Sequence, residues 1–131
     1  MTEAALAAVD VAFFVVHSIW IGFIATGWAW KRTRRAHLAA VVLTALSWFA
    51  LGAWFGWGYC PMTDLHWQVR ERLGYQDPPS YVQLLVGRVT GIELTRQTAD
   101  IIALTTLGSA AVLTVFANLD GTRDRKVWRG R

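Results

Sequence analysis

Val41-Val42-Leu43-Thr44-Ala45-Leu46-Ser47-Trp48-Phe49-Ala50-Leu51-Gly52-Ala53-Trp54-Phe55-Gly56-Trp57-Gly58-Tyr59 holds no charged residue. With Ala39 and Ala40 ahead of it, the run is long enough as a helix to cross a hydrocarbon core of ~30 Å at ~1.5 Å per residue. Lys31, Arg32, Arg34 and Arg35 precede it, and aromatic rings crowd its far end. Charge at one end and aromatics at the other give the span a direction. The chain therefore reads as an integral membrane protein.

Its 131 residues suit a single domain, and 54% hydrophobic against 17% charged is too apolar for an ordinary soluble one. The net charge of +4 raises the question of nucleic acid. The basic residues, however, gather at 31–35 and at Arg123, Arg125, Lys126, Arg129 and Arg131, directly beside apolar runs. That pattern is the positive-inside signature with anionic lipid contact, and it argues against a nucleic-acid partner. A single cysteine, Cys60, excludes a disulfide within the chain. The N-terminus lacks the basic start of a cleaved signal, so the first apolar segment is expected to stay in the mature protein.

Three spans are predicted, at about 11–30, 39–59 and 97–118, with Thr95 as the N-cap of the third. The 31–35 link and the C-terminal tail are basic. The N-terminus carries Glu3 and Asp10 without Lys or Arg, and residues 60–100 hold four Arg against five acidic groups. An all-α, three-span bundle satisfies every one of these preferences if its N-terminus is outside and its C-terminus is cytoplasmic, in a bacterial cytoplasmic membrane.

The 60–95 segment reads as structured. Thr63 can cap a helix over 64–73, with Met62 and Trp67 as a staple and Gly74 as the stop. After the Asp77-Pro78-Pro79-Ser80 turn, Val82, Leu85, Val86 and Val89 fall on one face of a short helix, with Gln83 and Arg88 facing away. Two amphipathic helices are thus expected at the outer membrane surface.

Small residues allow close approach of helices in lipid. Ser18, Gly22 and Thr26 repeat every four residues on span one, and Gly52 and Gly56 form a GxxxG on span two. Thr105 and Ser109 follow more weakly on span three. These faces suit packing within the bundle or docking on another protein's helices. Among the eight tryptophans, Trp28 and Trp30 mark one membrane boundary. Trp54, Trp57 and Tyr59 mark the other. Trp20 and Trp48 lie deeper and fill space or line a cofactor.

His17 sits roughly 9 Å inside the outer boundary at ~1.5 Å per residue. An ionisable group at that depth is either a hydrogen-bonded structural residue or a cofactor ligand or proton relay. His37 lies near the opposite end of the bundle, so one haem cannot bond both. Cys60, Met62, His66 and His17 belong near the outer face, where thiolate and imidazole suit zinc or copper. Cys-x5-His is a weak metal spacing, however. No nucleophile motif, phosphate loop or carboxylate pair is present, and Asp64, Glu71 and Asp77 read as solvated charges.

At Gly58-Tyr59-Cys60-Pro61-Met62-Thr63 the chain resembles a domain-of-unknown-function family of small bacterial membrane proteins. That family carries a Cys-Pro-Leu-Thr signature after a span and a histidine in its first helix. His17, His37, Trp57, Cys60, Pro61 and Thr63 match, and Met62 replaces the leucine. Gly91-Ile92-Glu93-Leu94-Thr95-Arg96 resembles the entry to the family's last span. The likeness spans roughly residues 10–118. It implies the fold and the location, and no activity. The expectation is a non-enzymatic accessory subunit docking on a larger membrane assembly, respiratory or photosynthetic, or on itself. The alternative is a redox, metal- or haem-binding membrane protein using His17, Cys60 and His66.

Overall fold

The computed structural model describes residues 1–129, with side chains described through residue 119. The basic side chains of the C-terminal tail lie outside the described residues. The described chain is all helical. The helices Glu3–Thr26, Arg34–Phe55 and Arg96–Leu119 are each long and apolar enough to cross a membrane.

Helix α1 (Glu3–Thr26) starts earlier and stops sooner than the predicted 11–30. Thr2 accepts a hydrogen bond from Ala5 N at 3.3 Å, and Glu3 lies in the first turn. This cap, followed by alanines and Leu6, extends the helix outward and draws Asp10 into it. Its end is fixed at Gly27. A Cβ there would stand 2.7 Å from His37 Cδ2, so only glycine fits without displacing the ring. The Thr33 hydroxyl donates to Gly27 O at 2.7 Å and closes the turn. Trp28 and Trp30 therefore belong to the link between spans. Trp28 donates from Nε1 to Ala25 O, and Trp30 is exposed.

Helix α2 (Arg34–Leu46) runs through a π-helical turn (Ser47–Leu51) into a last turn, α3 (Gly52–Phe55). The second span ends four residues before the predicted Tyr59. Gly56 takes φ 108°, a conformation open to glycine, and stops the helix. The chain then folds back, and Ser47 Oγ donates to Tyr59 O at 2.8 Å. This corrects the reading of Gly52 and Gly56 as a helix-docking face. Gly52 is buried by its own return loop, where a Cβ would meet Gly58 N and Trp57 Cα at 3.5 Å, and Gly56 is the stop. Trp54 and Trp57 are exposed at this end, and Tyr59 stacks on Phe55.

Residues 60–95 form a cap of two helices, α4 (Pro61–Arg72) and α5 (Tyr81–Thr90). The start of α4 is Cys60 with Pro61 at the first helical position, not Thr63. Proline presets the helical φ and has no N–H to leave unpaired, which moves the start three residues upstream. Gly74 and Gly91 take positive φ where α4 and α5 end. The face that α5 buries is also corrected. Tyr81 and Leu84 are buried and Val89 is exposed, while Arg88 turns towards α1.

Helix α6 (Arg96–Arg129) begins after Thr95, whose hydroxyl accepts from Thr98 N at 3.2 Å. The core lies between α1, α2 and α6. It is made of Ile24, Ala40, Val41, Leu107 and Ala110, flanked by Trp20, Phe23 and Trp48. Four hydroxyls within the spans are satisfied by their own helix. Ser18, Thr26, Thr44 and Thr105 each donate to the carbonyl four residues earlier. Trp20 Nε1 crosses to Thr44 Oγ1 at 3.2 Å. An apolar surrounding requires such pairing.

Candidate functional site

The cap is fastened to one face of α1. Asp10, Phe13, Phe14, His17 and Ser18 recur at helical spacing, and each meets a side chain of α4 or α5. Asp10 is 5% exposed although it lies in an apolar helix. His66 and Arg70, one turn apart on α4, both reach it, with His66 Nε2 at 2.8 Å and Arg70 Nη1 at 3.1 Å from Oδ1. Arg88 Nη2 donates to Oδ2 at 3.3 Å. Arg70 also donates from Nε to Asp77. Two guanidiniums and two carboxylates thus form a mutually compensating cluster with a fully buried imidazole. A lone carboxylate at this place would be costly.

Aromatic rings seal the cluster from the bundle. Phe13 stacks on His66 at 5.4 Å, and Arg88 lies over the Phe14 ring at 4.9 Å. Tyr81 opens α5 and lies flat on His17, with ring centroids 3.8 Å apart. Its hydroxyl donates to Phe14 O at 2.8 Å and lies 3.2 Å from Ser18 Oγ. Burial pushes the Tyr81 phenol up, against the opposing pull of the Ser18 hydrogen bond and Arg88, so it remains the donor this contact needs. At Arg70, burial alone would lower the guanidinium. The Asp77 and Asp10 carboxylates outweigh it and hold it above its ordinary value.

His66 faces a carboxylate through Nε2, which makes that nitrogen the donor, and its buried Nδ1 has no partner among the described residues. His37 repeats the arrangement at the other end of the bundle. Its Nε2 donates to Ile24 O at 2.9 Å, and its Nδ1 is unpaired. His17 Nδ1 is also buried without a partner. His17 and His66 are thus brought against the same ring, Tyr81. Cys60 stands ahead of α4 with a free thiol. Among the described residues no group of three or more His, Cys, Asp or Glu side chains is placed to hold a metal ion. His66, expected as a ligand, is held by Asp10 instead.

The small-residue face of α1 is used only in part within the bundle. Ser18 meets Tyr81, whereas Gly22 and Thr26 are exposed. A groove of about 260 Å³ runs between α1 and α6, lined by Ala25, Thr105, Thr106, Ser109, Ala110 and Leu113. A Cβ added at Gly22 or at Gly108 would meet nothing within 4 Å.

The sequence profile of one family of proteins of unknown function, DUF2784, matches residues 7–119. The chain belongs to that family. The match takes in α1 from Ala7, the cap and the described part of α6, so the whole cluster lies inside it. No curated protein and no solved structure matches the chain.

Proposed function

We propose that the protein is a non-enzymatic membrane subunit that docks against the spans of a larger membrane assembly. The open α1–α6 groove is the observation that supports this reading. Its walls are small and hydroxylated, with Thr105 to Leu113 of α6 set against Ala25 near the end of α1, and a Cβ at Gly22, one turn before Ala25, or at Gly108, next to Ser109, would meet nothing within 4 Å. A groove of that kind lets a foreign helix approach closely and offers it hydrogen bonds. Asp10, His66, Arg70, Asp77 and Arg88, by contrast, are engaged with one another, which favours a structural role for the cluster over a catalytic one. The proposed setting is a bacterial cytoplasmic membrane with the cap outside, because the basic 31–35 link is at the opposite end of α1. The Cys60-Pro61-Met62-Thr63 stretch accords with a multi-span family carrying such a signature.

The test uses Gly22→Leu and Gly108→Leu. Among the described residues an added Cβ at either position meets nothing within 4 Å, so both variants should fold. Each should lower co-migration with larger subunits on native gels from mild-detergent extracts, while thermal unfolding stays unchanged. Full retention of the same subunits in both variants would refute docking at this groove.

A second reading, a redox or haem protein ligated through His17, rests on the unpartnered Nδ1 at that depth. It predicts a visible absorption band in protein purified from native membranes, lost in His17→Ala. A colourless, metal-free preparation would end that reading.

A further inference from the structure

A cleft of about 470 Å³ opens on the side of the cap between the 76–78 turn, α5 and the loop at 93–94. Its polar lining comes from Gln76, Asp77, Gln83, Arg88 and Glu93. Gln83 is held in one orientation, because its Nε2 donates to Leu94 O at 2.8 Å. That bond leaves Oε1 pointing the other way, buried and with no donor. A buried amide oxygen without a donor is costly, and Gln83 is one of the residues that line the cleft. Asp77 accepts from Arg70 through Oδ1, and Arg88 gives one N–H to Asp10. Glu93 is exposed and forms no ion pair among the described residues. Once these pairs are counted, the lining keeps one uncompensated negative charge, at Glu93. It also holds one guanidinium with donors to spare.

We propose that this cleft binds a primary ammonium joined by a short linker to a phosphate, the chemistry of an aminoethyl phosphate. The ammonium has three N–H groups for Gln83 Oε1 and the carboxylates of Glu93 and Asp77. The phosphate meets the spare donors of Arg88. A trimethylated ammonium has no N–H to offer and is discriminated against. Two sources carry this group: the headgroup of phosphatidylethanolamine, and free O-phosphoethanolamine. Position favours the headgroup. Glu93 and Leu94 immediately precede Thr95, which caps the span Arg96–Leu119, so the cleft opens at the membrane boundary.

The full chain is reconstituted in nanodiscs containing equal parts phosphatidylcholine and phosphatidylethanolamine, and retained lipids are counted by native mass spectrometry. Retention of phosphatidylethanolamine should exceed that of phosphatidylcholine about tenfold, equivalent to ~1.4 kcal/mol, and should fall to parity in Glu93→Gln. Gln83→Leu should do the same, but Glu93→Gln alone suffices, because Glu93 has no partner whose loss would unfold the cap. In phosphatidylcholine nanodiscs, calorimetric titration compares O-phosphoethanolamine with phosphocholine. Selective binding of the former, without lipid selectivity, supports the same chemistry from the soluble source. Equal retention of both lipids together with no selectivity between the free compounds overturns the proposal. So does a preference that survives Glu93→Gln.

Discussion

Asp10 accepts hydrogen bonds from His66, Arg70 and Arg88, each from a different turn of the cap. Its own position, seven residues into α1, puts it roughly 10 Å along the helix at ~1.5 Å per residue. A carboxylate there is stable only while its partners are present. Asp10→Ala leaves the fully buried His66 without its acceptor and the buried Arg70 with Asp77 alone. The expected loss is about 3–5 kcal/mol, in the range for breaking a buried ion pair. Thermal unfolding in detergent measures it, and tryptic cleavage at Arg70 and Arg72 should become fast as the cap lifts. Glu3→Ala, at an exposed site, serves as the control and should stay within ~0.5 kcal/mol. If Asp10→Ala matches that control, the cluster does not hold the cap.

At the scale of elements, α5 is held on α1 by Tyr81, whose phenol must stay protonated to donate to Phe14 O. Its folded value is raised above the ordinary 10.0 by burial. The sign follows from that direction. The folded state binds the proton more tightly than the unfolded chain. The Tyr81 contribution is therefore complete below pH 10 and declines as pH climbs through the raised value. Unfolding temperature should hold up to that point and then drop, and Tyr81→Phe should flatten the decline. An equally steep alkaline decline in Tyr81→Phe would assign it to another group. Much of the element layout was legible in sequence, because apolar runs and glycine stops act locally: Thr95, Gly74 and Gly91 end or begin helices where expected. Start points were less legible where two local signals competed, as when Pro61 took precedence over Thr63. The cluster itself was hidden. Asp10, Arg70, Asp77 and Arg88 look like surface charges one at a time, and only the fold brings them together. The one available hint was the spacing of Asp10, Phe13, Phe14 and His17 on a single helical stripe.

For the whole molecule, the Asp10 pairs place the N-terminal part of α1 and the entire cap at one end of the bundle. The link carrying Lys31, Arg32, Arg34 and Arg35 lies at the other end. If the basic end is cytoplasmic, an impermeant thiol reagent should label the exposed Tyr75 site in intact cells. The variant used is Cys60→Ser with Tyr75→Cys, and the same reagent should reach Arg32→Cys only after lysis. The reverse pattern would invert the topology.

Asp10 also sets a schedule for biogenesis. Its partners follow it by 56, 60 and 78 residues along the chain. At ~5–20 residues per second of synthesis, α1 waits on the order of seconds with an unmatched anion at the edge of the bilayer. During that interval burying the first turns would carry the cost of an unpaired charge. A nascent chain arrested before His66 has none of these partners, so its amino end should be cut by added protease faster than that of the full chain. Only the completed cap supplies every partner of that anion, so the last residues to arrive, not the first helix, finish the amino end of the protein.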